Sequence, residues 1–109
     1  MNEGLLPPRI LTVSRRRLRR DRARVLRTHV DRAIGENRPH LVLDLEGVDF
    51  VDSGFLGAMV EALKHLRERG GDLRIRGAGR EVRTLLALTG LDRLFLSPPS
   101  PEAARGPLS

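Results

Sequence analysis

The sequence predicts one α/β domain, with helices packed on a mixed β-sheet. Short apolar runs alternate with longer segments whose apolar residues recur every three or four positions, and the links between them are short. A chain of 109 residues is long enough to bury one modest core. We therefore expect a single domain over residues 1–97, with a loose lead-in at 1–9, followed by a disordered proline-rich tail at 98–109.

The N-terminal third predicts one strand and one helix. Residues 10–13, Ile-Leu-Thr-Val, suit a short strand. A helix follows and ends at Gly35, where a glycine commonly terminates helices. Its apolar stripe consists of Ala23, Leu26, Val30, Ala33 and Ile34.

An arginine-rich segment at 15–24 separates this strand from this helix. It holds seven arginines in ten residues, and residues 1–40 carry a net charge of +7 whereas residues 41–109 carry −1. The segment could be a solvated turn and helix start, a contact for nucleic acid or an acidic membrane, or a docking face for an acidic protein. We favour the acidic protein over nucleic acid, because no recognition motif accompanies the charge and no Trp or Tyr is present to stack on bases.

The stretch from Leu41 to Arg69 predicts a buried strand, an acidic loop and an amphipathic helix. Residues 41–45 are an apolar run suited to a central strand, and Gly47 marks a turn. The helix is expected over 54–69, with an apolar stripe of Leu56, Met59, Val60, Leu63 and Leu66.

The remaining periodic segments are shorter. Residues 73–76 alternate between apolar and basic side chains and predict a strand. Residues 81–89 predict a helix that ends at Gly90, and residues 94–96 predict a last short strand.

Ser53 lies where the longest predicted helix begins. It or Asp52 could be the N-cap, whose side chain accepts a backbone hydrogen bond. It could also accept a phosphoryl group, because a phosphate there would meet free N–H groups and the positive end of the helix dipole. Asp49 and Asp52 would repel the added charge of about −1.5 to −2, so a phosphate would change this surface sharply. A site that can hold a phosphate and also change its surface in this way has the properties that a binding switch needs, and the capping role remains the alternative.

Catalytic motifs are lacking. His29, His40 and His65 belong to separate predicted elements, and Ser53 is not part of a GxSxG nucleophile elbow. We therefore expect no enzyme, no catalytic residue and no cofactor.

A magnesium pocket is the remaining possibility for the acidic loop. Asp44, Asp49 and Asp52 resemble the acidic residues of a response-regulator receiver, but that fold also uses a late lysine and this chain has none after Lys64. We expect no metal site.

Two stretches resemble the STAS domain, the fold of bacterial anti-sigma-factor antagonists. LVLDLEGVDFVDSGFLG at 41–57 has the strand, the turn, and Asp-Ser with a small residue at the helix start. GGDLRIRGAGREVRTLLALTGLDRLF at 70–95 has the Gly-Gly turn, a strand, a helix, and Gly-Leu before a final hydrophobic pair. The resemblance implies a STAS-like mixed β-sheet with helices packed mainly on one face.

The sequence departs from the family pattern in two places. Gly54 and Phe55 stand where the family usually has Ser, Thr or Ala followed by Gly. Near the N-terminus, Arg-Arg-Leu-Arg-Arg at 16–20 replaces an acidic motif, and one strand is found where the family starts with two.

The resemblance also implies a function and a set of partner-binding residues. In the family, the serine after the aspartate is phosphorylated by a partner kinase, and here that serine is Ser53. An unphosphorylated antagonist sequesters an anti-sigma kinase and so releases a sigma factor, and a phosphatase resets a phosphorylated one. The partner-binding residues would be Asp49, Asp52, Ser53, Gly54 and Phe55, with Phe55 adding apolar surface beside the serine.

The alternative function is a scaffolding STAS domain that is never phosphorylated and binds an acidic protein through the arginine-rich segment. Both alternatives are protein-binding modules. No apolar run reaches the roughly 20 residues that span a bilayer, and no signal-peptide core is found, so we expect a cytoplasmic protein without membrane contact.

Overall fold

The elements alternate between strand and helix along residues 8–96, which are the residues that the computed structural model describes. They are β1 (Arg9–Thr12), β2 (Arg17–Leu18), a 3₁₀ turn (Arg20–Arg22), α1 (Ala23–Gly35), β3 (His40–Asp44), β4 (Phe50–Val51), α2 (Ser53–Glu68), β5 (Asp72–Arg76), α3 (Arg80–Leu88) and α4 (Asp92–Phe95). The predicted tail at 98–109 lies outside the described residues. So does the predicted lead-in at 1–9 apart from Pro8 and Arg9, and Arg9 already belongs to β1.

The strands form two parallel ladders. One sheet has the order β1-β3-β5, and the other pairs β2 with β4. The predicted α/β class is confirmed, but every strand pairing within residues 8–96 is parallel where a mixed sheet was expected. Parallel pairing follows from the connections: α1 lies between β1 and β3, and α2 between β3 and β5, so each strand returns in the same direction.

One face of the three-stranded sheet forms the core. Leu11, Leu43 and Ile75 are aligned across its strands, and Leu43 and Ile75 are buried beneath the helices. The opposite face is more open, since Ile10 is 49% exposed and Val42 beside it is only half-buried. The helices α1 and α2 pack on each other and on the buried face, and their predicted apolar stripes include eight of the ten side chains that these two helices bury. No helix within residues 8–96 has the length and apolarity that crossing a membrane requires.

Three short segments differ from their predicted structure. Arg17 and Leu18 form strand β2, so the described part of the N-terminal third contains two strands where the sequence predicted one. The predicted strand at 94–96 is wrong, because the chain turns at Gly90 and residues 92–95 form the single helical turn α4. The apolar side chains there pack inward without a neighbouring strand, and Phe95 is 1% exposed. Conversely, Phe50 and Val51, which the pattern placed in a loop, form strand β4.

Gly71 permits the close approach of two chain segments. A Cβ atom at this position would lie 1.6 Å from the carbonyl oxygen of Pro39, and that carbonyl accepts the backbone N–H of Asp72 at 3.0 Å. The backbone itself occupies the space that any side chain would need.

Gly71→Ala should therefore destabilise the fold by about 1–3 kcal/mol, the usual cost of overpacking, or more. Gly57→Ala is the matched control: nothing lies within 4 Å of a Cβ there, and Gly57 is inside α2. Removing a glycine from a helix interior should raise stability by about 0.5–1 kcal/mol. Urea unfolding of both variants measures this, and equal shifts in one direction would contradict the packing argument.

Candidate functional site

Asp52 is the N-cap of helix α2. Its backbone is extended, and its Oδ1 accepts the N–H of Phe55 at 2.8 Å. Its Oδ2 accepts the backbone N–H of Arg20 at 3.0 Å, so the same carboxylate also binds the arginine-rich segment. These bonds answer the question that the sequence left open, namely which of the two adjacent residues caps the helix.

Ser53 is the first residue of α2 and is exposed to solvent. The side chain that caps the helix belongs to its neighbour, so the hydroxyl of Ser53 is not needed for that role. The prediction that Ser53 is exposed at the start of this helix is confirmed.

The arginine-rich segment runs directly beside the start of α2. Strand β2 pairs with β4, with Leu18 opposite Val51, and both side chains are buried. The backbone N–H of Asp52 continues this ladder to the carbonyl of Leu18 at 2.9 Å. Leu18, one apolar residue within a run of arginines, was the signal in the sequence that could have predicted this packing.

The acidic residues near Ser53 already have partners. The carboxylate of Asp49 accepts a hydrogen bond from the guanidinium of Arg16, with 2.9 Å between nitrogen and oxygen. The carboxylate of Asp52 accepts hydrogen bonds from two backbone N–H groups. The hydrogen bond from Phe55 is the largest effect on Asp52 and lowers its pKa. Desolvation opposes it, while the backbone N–H of Arg20 and the nearby charges of Arg19 and Arg20 lower the pKa further.

The arginines near Ser53 have fewer charged partners than the acidic residues do. Arg19 lies over the ring of Phe50, 5.6 Å from its centroid, and neither Arg19 nor Arg20 forms an ion pair with any residue of the described chain. An open hollow of about 480 Å³ is lined by Arg19, Arg20, Asp21, Asp52, Ser53 and Gly54. The surface around Ser53 is therefore more basic than the acidic residues beside it in the sequence suggest.

Phe55 does not add surface beside the serine. It is 2% exposed and belongs to the hydrophobic core, because the first turn of α2 points it inward. The expectation of an apolar contact from Phe55 is corrected: the exposed aromatic side chain near the site is Phe50, at 43%. Of the five predicted partner-binding residues, Asp49, Asp52, Ser53 and Gly54 are at least partly exposed.

The three loop acids do not converge. Asp44 is buried and pairs with Arg76 on the neighbouring strand at 3.2 Å, while Asp49 and Asp52 bind the separate partners described above. Across the described range 8–96, no three His, Cys, Asp or Glu side chains are grouped so that they could hold a metal ion.

The sequence pattern of the family described as “Mlab, STAS domain” matches residues 15–97, which is more than half of the chain. The chain belongs to the STAS domain family. The resemblance identified in the sequence is thereby confirmed, and the match includes the arginine-rich segment.

Relatives within this family are anti-sigma-factor antagonists by name. The chain is 30% identical over 72 residues to an anti-sigma F factor antagonist of Paenibacillus polymyxa, an alignment that covers 65% of this chain and 62% of that protein. The chain thus aligns with somewhat less than two thirds of that relative's length.

Solved structures of STAS proteins share the fold. The NMR structure of TM1081 is similar with a TM-score of 0.70 and 28% identity, covering 80% of this chain and 70% of that one. A crystal structure of TM1081, described as a proposed anti-sigma factor antagonist of Thermotoga maritima, gives 0.66 and 24%, covering 86% of each chain. SpoIIAA, a cell fate determinant of Bacillus solved in its phosphorylated form, gives 0.61 and 16%, covering 92% of this chain and 89% of that one.

The cap of this STAS domain predicts how its stability depends on pH. The pKa of Asp52 is lowered in the folded chain from its ordinary value of 3.8, so the carboxylate contributes stability above that pH. The contribution is lost as the pH falls below 3.8 and through the folded pKa. Asp52→Asn keeps an acceptor oxygen but cannot titrate, so its stability should fall less steeply with acid than that of the wild type.

Urea midpoints measured at a series of pH values on both sides of the ordinary aspartate pKa test this expectation. Asp21→Asn is the matched control, because the exposed Asp21 makes no hydrogen bond or ion pair within residues 8–96. If the urea midpoints of the wild type and of Asp52→Asn fell equally steeply as the pH is lowered, the role given to the Asp52 carboxylate would be contradicted.

Proposed function

We propose that this protein is an anti-sigma-factor antagonist whose binding is switched by phosphorylation of Ser53. In the unmodified state, the surface around Ser53 binds an anti-sigma kinase and so releases a sigma factor. In the phosphorylated state the kinase is released. The protein acts by binding, in the cytoplasm, and the ATP belongs to the kinase.

The observation that carries this proposal is the exposed Ser53 at the first position of α2 in a member of the STAS family. A hydroxyl in that position is reachable by a kinase, and Asp52 relieves it of the capping role. The name of the Paenibacillus relative supports the choice of an anti-sigma factor as the partner.

The chemical step needs only the hydroxyl from this chain. Oγ of Ser53 would attack the γ-phosphorus of ATP held by the kinase, the new O–P bond would form, and the bond to ADP would break. The hydroxyl proton would pass to a base of the kinase. The product carries an added charge of about −1.5 to −2 at pH 7.

Intact-mass spectrometry tests the phosphorylation. The wild type, incubated with a candidate anti-sigma kinase and ATP, should gain the mass of one phosphoryl group, and Ser53→Ala should gain none. Thr84→Ala is the matched control, because it removes an exposed hydroxyl on α3, outside the hollow, and this variant must still be modified. A wild type that binds the kinase and stays unmodified would contradict the switch.

Binding to the kinase should separate two variants of Ser53. A charge at this position loses hydration on docking, so Ser53→Asp should weaken binding by about 3 kcal/mol. Ser53→Ala removes one hydroxyl and should weaken binding by no more than about 1–2 kcal/mol. Calorimetry of both variants against the kinase measures the difference, and equal affinities would leave Ser53 without a switching role.

The second candidate is the unphosphorylated scaffold that binds an acidic protein through the arginine-rich segment. It is favoured by the exposed arginines of residues 15–24, most of which make no ion pair within the described part of the chain. Equal binding of the two Ser53 variants, combined with loss of binding when these arginines are replaced, would favour the scaffold. A phosphatase is a further partner only of the switched form.

A further inference from the structure

The side chain of Arg20 lies directly over Gly54. A Cβ atom at Gly54 would lie 2.6 Å from Cβ of Arg20, 2.9 Å from its Cγ and 3.1 Å from its Cδ. The aliphatic stem of Arg20 therefore occupies the space that a side chain at position 54 would take, next to Ser53. The backbone N–H of Arg20 is also held, by Oδ2 of Asp52 at 3.0 Å.

The guanidinium group of Arg20 is available for a ligand, and that of Arg19 lies over the exposed ring of Phe50. Both residues line the hollow that contains Ser53, and neither forms an ion pair within residues 8–96. Of the acids facing this hollow, Asp52 is bound by two backbone N–H groups and Asp21 is exposed. Asp49, nearby in sequence, is paired with Arg16.

We propose that Arg20 and Arg19 bind the phosphate on Ser53 within the same chain, so that phosphorylation removes these two guanidinium groups from the surface that an acidic partner contacts. This inference rests on the proposed function, because it names how that switch would work. It is carried by the positions of Arg19 and Arg20 in the hollow beside Ser53 and by the packing of Arg20 on Gly54.

The charge balance explains why such capture would release a partner. Unmodified, the site offers two guanidinium groups that can each pair with a carboxylate of the partner. A phosphoserine of charge about −1.5 to −2 next to them cancels most of that charge and accepts their hydrogen bonds. The partner then loses its ion pairs with the two guanidinium groups, and it is also repelled by the new negative charge.

Gly54 is the residue that makes the arrangement possible. Any side chain at position 54 would displace the stem of Arg20, since the contact distances fall to 3.1 Å and below. Gly54→Ala therefore offers a variant in which every charge is kept and only the position of Arg20 changes.

Phosphoserine incorporated at position 53 during synthesis tests the capture without any kinase. The readout is the ³¹P chemical shift against pH, which gives the midpoint of the second phosphate ionisation. Nearby guanidinium groups favour the dianion, so this midpoint should lie about half a unit or more below that of the same protein unfolded in urea. Arg20→Gln and Gly54→Ala should each raise the midpoint of the folded protein part of the way towards the unfolded value. The double variant Arg19→Gln with Arg20→Gln should raise it most of the way.

Arg24→Gln is the matched control, because Arg24 is an exposed arginine of α1 outside the hollow and its loss should leave the midpoint unchanged. If the midpoint of the phosphate ionisation were equally low in the wild type and in the double arginine variant, the N-terminus of α2 would account for the shift. That result would overturn the proposal that the two arginines bind the phosphate. So would an equal midpoint in the folded and unfolded wild type. Failure of the kinase to modify Ser53 would contradict the proposed function alone, since the phosphate is introduced here without it.

Discussion

The carboxylate of Asp52 holds together the segments on which the candidate site depends. One oxygen accepts the N–H of Phe55 at the start of α2, and the other accepts the N–H of Arg20 after β2. The backbone N–H of Asp52 extends the ladder between β2 and β4 by donating to Leu18. A negative group is favourable at this end of a helix, because it satisfies N–H groups that lack intrahelical partners. Ser53 follows Asp52 in the chain, and its exposure follows from this geometry.

The arginine-rich segment and the serine belong to one surface. In sequence Ser53 follows an acidic loop, and the basic run lies about thirty residues or more before it. In space, Arg19 and Arg20 line the same hollow as Ser53, and the nearby acids are bound to other groups. The two functions that the sequence suggested separately, a phosphorylated serine and a basic docking face, therefore concern the same site. In the proposed function, this juxtaposition would present a basic surface to an acidic partner while Ser53 is unmodified.

The long elements could be predicted from the sequence, and the short ones could not. Helices α1 and α2 end within a residue or two of their predicted bounds, because each carries an apolar stripe and ends near a glycine. Strand β3 was likewise recognisable from its apolar run. The segment at 94–96 has the same composition as a buried strand, and three residues contain too little periodicity to distinguish a strand from a helical turn. Phe55 was misplaced for a related reason, since its direction depends on which residue begins the helix.

The sequence by itself determined the family, the α/β class, the major helices and the position of Ser53 at a helix start, because these depend on local patterns and on a motif within a single stretch. Only the tertiary structure decided what surrounds that serine. The pairing of Arg17 and Leu18 with Phe50 and Val51 joins segments far apart in the chain, and strands of two residues carry no readable period. It forms because Leu18 and Val51 are buried in the same core, and their burial carries the neighbouring arginines to the start of α2.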